Sequence, residues 1–316
     1  MLKILITGAG GYIGRCLFEY LKEEYQVFGL DKISSKNKNI KKINLLNESL
    51  LNNYLKKIKP DLVIHLAGKS TIDDIKQKNH YINDNVKATK ILVRSMKKNN
   101  ISNIIFSSTA AVYLETSNII SVRSKILPNN IYGKTKLKCE KILNNAGLNY
   151  VIFRFFNVCS SITKLRVGEN HKPETHLIPL LVEKALKKKI FKIYGDNYKT
   201  FDGTCIRDYI HIVDLCNAIK LSFNLFNKSK KLKKIFNLGT SKGYSVKQVL
   251  SEVSKILKIK IKFKISTKRK GDLAKLVCSY TETNKYLKWM PRNSILNKMI
   301  RDEIIWQRKY KKTKLI

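Results

Sequence analysis

The chain contains 316 residues, of which 43% are hydrophobic, so it can bury a substantial core and is not a disordered protein. Its 5 prolines and 14 glycines exclude a collagen-like or linker-dominated chain, and no apolar run approaches the roughly 18 residues of a membrane-spanning helix. The 63 basic and 23 acidic residues give a formal net charge of +40, which indicates either an anionic partner or a lysine-rich solvated surface.

Apolar runs alternate with amphipathic segments through the first half of the chain. Leucine- and isoleucine-rich runs predict buried strands at residues 2–6, 26–30, 62–66, 104–107 and 150–154. Helical periodicity predicts helices at residues 14–22, 50–58, 85–98 and 134–145. This alternation predicts an α/β fold with a Rossmann-like, doubly wound parallel sheet.

The rhythm changes after residue 157, where a charged loop (164–175) and a turn-rich segment (195–203) interrupt the pattern. The later elements are predicted as helices at 178–188, 213–226, 245–257 and 295–309 and strands at 235–238 and 260–265. We therefore expect a dinucleotide-type domain at residues 1–157 and a smaller α/β lobe mainly at 158–316. Segments near 205–240 are expected to return to the first domain.

A glycine-rich sequence between the first strand and the first helix predicts a dinucleotide site. Gly8 permits the tight turn, Gly11 lets the backbone approach a pyrophosphate, and Gly14 lets the helix pack close to the sheet. Asp31 ends the second strand 17 residues after Gly14, where a carboxylate can bind both hydroxyls of an adenosine ribose. Because a 2′-phosphate would meet this negative charge, we predict NAD rather than NADP.

Three polar side chains predict a proton-transfer site. Thr109 follows the strand at 104–107, and Tyr132 and Lys136 are spaced i, i+4, so both lie on one face of a helix. A nearby ammonium favours the phenolate, which predicts a tyrosine pKa lowered from about 10. The pair can then act as a general base for an alcohol proton, with Thr109 hydrogen-bonding the same oxygen.

The glycine loop, Asp31 and this polar group resemble the extended short-chain dehydrogenase/reductase family. Within it, the second half of the chain resembles the UDP-glucose 4-epimerases. The motifs that carry this resemblance are FRFFNV (153–158), GENHKPETHLIP (168–179), IYGDNYKTFDGTCIRDYIH (193–211), NLG (237–239) and RKGD (269–272). The resemblance extends from residue 2 to about residue 306, and the DGTCIRDY segment is its most specific part.

The resemblance implies that the first lobe holds NAD and that both lobes bind a UDP-hexose. The residues it places against NAD, besides the three glycines, are Tyr12, Ile13, Asp31, Asn44, Leu45, Leu66, Ala67, Gly68, Asn85, Thr109, Tyr132, Lys136 and Phe156. Those it places against the substrate are Thr109, Tyr132, Asn157, His176, Leu177, Lys192, Ile193, Tyr194, Arg207, Arg269, Asp272 and Leu276. It also implies a homodimer.

The implied reaction is an isomerisation without net oxidation. Tyr132 takes the proton of the sugar 4-hydroxyl while a hydride leaves C4 for NAD. The 4-keto sugar then turns over and receives the hydride on its other face. Ala110 and Ala111 argue against the related 4,6-dehydratases, which need an Asp–Glu pair directly after the threonine to move protons.

Several departures from the family pattern leave alternatives open. Asn44 stands where an aspartate commonly contacts adenine. Ser70 stands where a lysine commonly contacts the cofactor, and Lys69 comes one position early, so it stays open which of the two makes that contact. Leu276 stands where a bulky tyrosine excludes N-acetylated sugars, so UDP-glucose, UDP-N-acetylglucosamine or both remain candidate substrates.

The charge and the cysteines indicate the remaining partners. Lysines are spread over every segment between motifs and are not clustered with aromatic residues, which predicts a solvated surface and no specific nucleic-acid partner. A nucleic-acid-binding protein on an inactive dehydrogenase fold is the alternative, and the intact Thr109, Tyr132 and Lys136 oppose it. The six cysteines contain no Cys-x-x-Cys pair and no histidine at metal spacing. We therefore expect no disulfide, no metal site and buried, reduced thiols in a cytoplasmic protein.

Overall fold

Strands and helices alternate along the first part of the chain, as predicted. The computed structural model describes residues 1–35, 37–69, 78–116, 118–171, 173–229, 231–269 and 272–310. The strands of this part are β1 (Lys3–Thr7), β2 (Gln26–Asp31), β3 (Ile40–Lys42), β4 (Leu62–His65), β5 (Asn103–Thr109) and β6 (Asn149–Phe155). The α-helices are α1 (Tyr12–Leu21), α2 (Glu48–Ile58), α3 (Lys78–Tyr81), α4 (Ala88–Lys98) and α5 (Ile131–Asn144). A π-helix, Ile82–Lys87, joins α3 to α4.

The second part of the chain has shorter strands. They are β7 (Asn157–Cys159), β8 (Ser161–Ile162), β9 (Val167–Gly168), β10 (Phe191–Tyr194), β11 (Ile206–His211), β12 (Lys233–Leu238), β13 (Gly243–Ser245), β14 (Phe263–Ser266) and β15 (Lys275–Leu276). The α-helices are α6 (Leu177–Leu186), α7 (Ile212–Leu221), α8 (Phe223–Lys228), α9 (Val246–Leu257), α10 (Thr281–Leu287) and α11 (Leu296–Lys309). Single 3₁₀ turns occupy Ala110–Val112 and Thr163–Leu165.

The central sheet has seven strands in the order β12-β6-β5-β4-β1-β2-β3. Every pairing within it is parallel. One face packs against α1 and α7, and the other packs against α2, α4 and α5. Burial on both faces explains why these strands are nearly continuous apolar runs. The predicted Rossmann-like, doubly wound α/β fold is confirmed.

The second lobe packs helices α6, α9 and α11 around a separate hydrophobic core. Its strands form a parallel β10–β14 pair and a sheet in the order β13-β11-β15, with β7 pairing β11. The β11 strand thus joins the lobe to β7, which directly follows the central sheet. The strand β12 lies in the central sheet although it comes late in the chain.

Two predicted elements differ from the structure, and one strand of the motif region was not predicted. The helix predicted at 213–226 is divided at Ser222, whose hydroxyl donates to the carbonyl of Ile219 at 2.6 Å and competes with the helical pattern. The strand predicted from residue 260 begins only at Phe263. The strand β11 was not predicted, because Arg207, Asp208 and His211 interrupt its apolar character.

All six cysteines are free and buried, as predicted. Burial raises the thiol pKa at each of these positions above its ordinary value, so the thiols are protonated and poorly nucleophilic. None of the helices in the described ranges combines the length and the apolar character needed to span a bilayer.

Candidate active site

The turn after β1 is built so closely that only glycine fits at two of its positions. Gly8 has a φ of +73°, and a Cβ there would lie 2.7 Å from the backbone nitrogen of Ala67. A Cβ on Gly14 would lie 2.1 Å from the carbonyl oxygen of Gly8. A Cβ on Gly11 would meet only the Gly8 oxygen, at 3.3 Å. The loop and the start of α1 therefore form a cradle made of backbone, of the kind that accommodates a pyrophosphate.

Asp31 lies beside this cradle at the end of β2. One carboxylate oxygen accepts a hydrogen bond from the Gly10 amide at 2.9 Å, and the other accepts from the Ile33 amide at 3.0 Å. The backbone thus fixes the carboxylate next to the glycine loop. The arrangement fits a dinucleotide whose ribose hydroxyls donate to this carboxylate.

Tyr12 and Ile13 begin α1, but the tyrosine side chain is committed elsewhere. The Tyr12 hydroxyl donates to the carbonyl of Ser160 at 2.6 Å, and its ring meets the His171 ring edge-on at 6.3 Å. Only its backbone can therefore face a pyrophosphate. The first turn of α1 carries no acidic residue, so its amide groups keep their attraction for an anion.

Two further loops approach the same edge of the sheet. After β3, Asn44 is exposed and its side-chain oxygen accepts from the Leu46 amide at 3.0 Å, while Leu45 is buried in the core. After β4, the Leu66 amide donates to the Thr7 carbonyl at 3.1 Å. Because the carboxyl ends of parallel strands share one edge, these loops border the cradle.

Asn85 holds the loop after β4 in place. Its side-chain oxygen accepts from the Lys69 amide at 2.8 Å, and its side-chain amide donates to Thr135 of α5 at 3.0 Å. A Cβ on Gly68 would lie 2.8 Å from that oxygen, so this position also needs glycine. Ser70 lies outside the described residues, so whether Lys69 or Ser70 reaches the cofactor stays a prediction.

The structure places Thr109 beside Tyr132, with Lys136 one turn further along α5. Thr109 ends β5, and its hydroxyl favours the phenolate form of Tyr132 on α5. One turn further along α5, the Lys136 ammonium donates to the Ser107 carbonyl at 2.7 Å. A Cβ on Gly133 would lie only 2.2 Å from the carbonyl of Ala111, so a glycine is required for α5 to approach the end of β5.

The expected direction of the tyrosine pKa is wrong for the protein alone. Burial raises the pKa of Tyr132 to about 12, although the hydrogen bond from Thr109 opposes this rise. Burial also disfavours the charged form of Lys136, whose pKa falls to about 8. The prediction failed because spacing places the two side chains on one face but does not report how much water surrounds them, and desolvation dominates here.

A buried polar network behind these residues was not predicted. Two nitrogens of Arg154 donate to the Glu140 carboxylate at 3.0 and 2.7 Å, and Ser108 also donates to it. A third nitrogen of Arg154 donates to the Tyr113 hydroxyl at 2.9 Å, which donates in turn to Asn237 at 2.7 Å. The only sequence signal was an arginine inside an otherwise apolar strand, β6.

On the substrate side, Arg207 and Leu276 are direct neighbours on β11 and β15. Arg207 donates to the carbonyl of Leu273 at 2.7 Å and lies 3.4 Å from the Asp272 carboxylate. Leu276 packs on a small buried cluster that contains Phe156. A guanidinium held in this way presents its remaining N–H groups for an anion such as a phosphate.

The other predicted substrate residues form two further groups. In the first, the Arg269 guanidinium lies 4.0 Å from the ring centre of Tyr194, which follows the exposed Lys192 and the buried Ile193 on β10. In the second, His176 caps the N-terminus of α6, directly before Leu177.

Asn157 is held between the lobes. Its side-chain amide donates to the Asp208 carbonyl at 3.0 Å. The Asp208 side chain is buried and accepts from the Thr240 amide and hydroxyl, each at 2.7 Å, so it fixes the loop after β12. Asp208 therefore has a structural role in the quoted motif, and Arg207 beside it is the residue available to a ligand.

The chain is similar to known proteins over most of its length. Residues 4–239 match the model of the NAD dependent epimerase/dehydratase family. A UDP-glucose 4-epimerase from Halalkalibacterium halodurans is 35% identical over 98% of this chain and 96% of its own length. A crystal structure of UDP-glucose 4-epimerase from Bifidobacterium longum in complex with NAD⁺ and UDP is 29% identical, with a TM-score of 0.89, and covers 97% of this chain and 98% of its own.

A further structure, of UDP-glucose 4-epimerase from Brucella ovis in complex with NAD, is 28% identical with a TM-score of 0.90 and covers 96% of this chain and 98% of its own. The match to the family model covers most of the chain, including the glycine loop, Asp31, Thr109, Tyr132 and Lys136. The chain therefore belongs to the NAD-dependent epimerase/dehydratase family.

Proposed function

We propose that this protein is an NAD-dependent UDP-glucose 4-epimerase, which interconverts UDP-glucose and UDP-galactose. The observation that carries the proposal is the placement of Thr109 beside Tyr132, with Lys136 one turn away, on the sheet edge that holds the glycine cradle. Relatives of this name match nearly the whole length of the chain. Bound NAD would supply the hydride acceptor and donor for the sugar C4.

The chain's own residues orient the cofactor. The amides at the start of α1 bind the pyrophosphate, and Asp31 accepts the hydrogens of the ribose hydroxyls. Lys136 is held near the loop after β4, since its ammonium lies only 3.5 Å from where a Cβ on Gly68 would stand. The remaining contacts proposed for the cofactor are those of Tyr12, Ile13, Asn44, Leu45, Leu66, Ala67, Asn85 and Phe156.

Tyr132 takes the proton of the sugar 4-hydroxyl and returns it at the end of the cycle. The Thr109 hydroxyl already accepts from the Ala111 amide at 3.1 Å, so its own hydrogen is available to the oxygen at Tyr132. Burial disfavours the phenolate, so a cation must offset that cost. Lys136 is the buried lysine of α5 and is proposed to supply it.

The second lobe holds the substrate by its nucleotide. Arg207 and Arg269 bind diphosphate oxygens and Asp272 accepts from a ribose hydroxyl, with further contacts proposed for Asn157, His176, Leu177, Lys192, Ile193 and Tyr194. A hexose anchored through its diphosphate is free to turn over. Both faces of C4 can then be presented in succession to the same cofactor.

The test is Tyr132→Phe, which removes one hydroxyl. We expect conversion of UDP-galactose to UDP-glucose, measured by chromatography without added cofactor, to fall by about 10²- to 10⁴-fold while NAD stays bound. Tyr54→Phe on α2 is the matched control and should retain normal turnover. Near-normal turnover of Tyr132→Phe would show that another group is the base.

Substrate scope follows from Leu276. Its side chain is smaller than a tyrosine and packs beside Phe156. The smaller side chain therefore favours acceptance of UDP-N-acetylglucosamine as well. Incubation with UDP-galactose and with UDP-N-acetylgalactosamine in separate assays distinguishes a dual-specificity enzyme from one restricted to either sugar.

We also propose that the protein is a cytoplasmic homodimer. Its first domain is proposed at residues 1–157 and its sugar-binding lobe mainly at 158–316, with segments near 205–240 returning to the first domain. The dimer is implied by the family resemblance of the sequence, and light scattering would test it. The rival nucleic-acid-binding protein is tested by filter binding. Affinity that disappears at physiological salt would be only the background expected from a charge of +40.

A further inference from the structure

Two glutamates and two histidines meet in the loop between β9 and α6. The four residues are Glu169, His171, Glu174 and His176, and each contributes one donor atom to a group in which all atoms lie within 4.8 Å of one another. The Nδ1 atoms of His171 and His176 lie 2.9 and 2.6 Å from one oxygen of Glu169. His176 is also 3.4 Å from one oxygen of Glu174.

Both carboxylates are buried, and each has an oxygen without a partner. The side chains of Glu169 and Glu174 are 0% and 2% exposed. The second oxygen of each makes no hydrogen bond to any residue within the described ranges. A buried carboxylate oxygen without a donor is costly, so two of them in one cluster indicate that a cation belongs there.

We propose that Glu169, His171, Glu174 and His176 form a binding site for a divalent transition-metal ion such as zinc. Two carboxylates neutralise the charge of such an ion, and a mixed imidazole and carboxylate set suits zinc and its first-row neighbours better than magnesium or calcium. A tetrahedral ion with bonds of about 2.0 to 2.2 Å needs donor separations of about 3.4 Å. The closest donor atoms of the cluster are 2.6 to 3.4 Å apart, and all of its donor atoms lie within 4.8 Å of one another. The separation that a tetrahedral ion needs falls inside this range.

The position of the cluster gives the ion a structural role. The carbonyl of Glu169 accepts from the Trp306 ring nitrogen of α11 at 2.7 Å, and the His171 ring meets Tyr12 at the start of α1. His176 is the cap residue of α6. An ion held by all four side chains would fix the start of α6 against the nucleotide end of the sheet. The imidazoles, which are 34% and 48% exposed, leave a path for its entry.

A proton is the alternative occupant. A hydrogen on Nδ1 of His176 can be shared with Glu169, 2.6 Å away, and with Glu174, 3.4 Å away. Protonated His176 and the carboxylates would then form an ion pair without metal. The ion must displace this proton, so the two occupants compete and binding can be measured directly.

The experiment uses the full chain, prepared without a polyhistidine tag and treated with a chelator. Cobalt(II) is titrated at about pH 7.5 while its visible absorption is recorded, and zinc(II) is then added as a competitor. We expect about one equivalent of cobalt with the spectrum of a four-coordinate ion, displaced by zinc. Glu169→Gln and His171→Ala should weaken binding by about tenfold or more. The matched controls Glu23→Gln and His80→Ala, both at exposed positions, should bind normally.

Two results would overturn the proposal. One is the absence of saturable cobalt binding by the wild-type chain, and the other is unchanged affinity in both Glu169→Gln and His171→Ala. If Glu169→Gln fails to fold, His171→Ala still tests the site, because its imidazole is partly exposed. A metal-dependent rise in Tm that only the wild type and the controls show would support the site. Binding is read without turnover, so this test is independent of the proposed epimerase activity.

Discussion

The nucleotide end and the reacting end of the sheet edge are built in different ways. At the nucleotide end, Gly8 and Gly14 are required because any Cβ would strike backbone atoms, and Asp31 is itself held by backbone amides. At the reacting end, the chemistry belongs to side chains, with Thr109 placed beside Tyr132. The nucleotide end depends on the absence of side chains at the glycines. The reacting end depends on polar side chains that are buried in the protein.

This difference determines which changes each end can tolerate. The nucleotide end should be sensitive to a single added methyl group. The reacting end rests on Glu140 and Arg154, whose side chains are only 6% and 2% exposed. Loss of one member of such a pair leaves an uncompensated charge in the interior.

The largest effect is expected for Glu140→Ala. Removal of the carboxylate leaves the Arg154 guanidinium buried without its two charged hydrogen bonds, so we expect the free energy of unfolding to fall by about 3 to 5 kcal/mol. Urea denaturation followed by circular dichroism measures this. Glu183→Ala removes one side of an exposed pair with Lys187 and should cost less than about 1 kcal/mol. Equal losses in the two variants would contradict the comparison.

The second-largest effect is a difference in stability between alanine variants of two glycines in the same loop. An alanine at position 14 would bring its Cβ to 2.1 Å from a backbone oxygen, whereas at position 11 the nearest contact is 3.3 Å. Gly14→Ala should therefore destabilise the fold by about 1 to 3 kcal/mol and abolish NAD binding. Gly11→Ala should fold nearly normally but bind NAD more weakly, because the methyl group blocks the approach of the pyrophosphate. Thermal unfolding and the NAD content after purification distinguish the two outcomes.

The same contrast explains how much the sequence could predict. Two motifs could be interpreted from local geometry alone, because each spans only a few consecutive residues. They are the spacing of Gly8, Gly11 and Gly14 and the i, i+4 spacing of Tyr132 and Lys136. The parallel sheet followed from apolar runs that burial on both faces requires.

What the sequence could not predict depends on contacts between distant segments. Glu140 and Arg154 lie on different elements, and nothing in either segment alone shows that they pair. The raised pKa of Tyr132 reflects the amount of surrounding protein, which spacing does not encode. The strand β11 was missed because its polar residues are buried by other segments, as Asp208 is by the loop after β12.

Substitution of Arg207 is expected to have a smaller and more selective effect. Arg207→Ala removes a guanidinium that the carbonyl of Leu273 orients, and the KM for UDP-galactose should rise by about 10- to 100-fold. The kcat should change little, since contacts to the nucleotide are made equally in the ground state and the transition state. Arg301→Ala, which alters an exposed residue of α11, is the control. A fall in kcat with unchanged KM would place Arg207 at the reacting carbon and not at the diphosphate.

The smallest effect concerns which sugar the reacting end admits. Leu276→Tyr adds volume beside Phe156, and a pocket discriminates a small substituent by only about 1 to 3 kcal/mol. We expect kcat/KM for UDP-N-acetylgalactosamine to fall by about tenfold or more, while that for UDP-galactose stays within about threefold. Leu50→Tyr, at an exposed position of α2, controls for the added ring. Equal losses for both sugars would mean that residue 276 supports the fold of the pocket and does not select the substrate, because a filter for the N-acetyl group must act on one sugar alone.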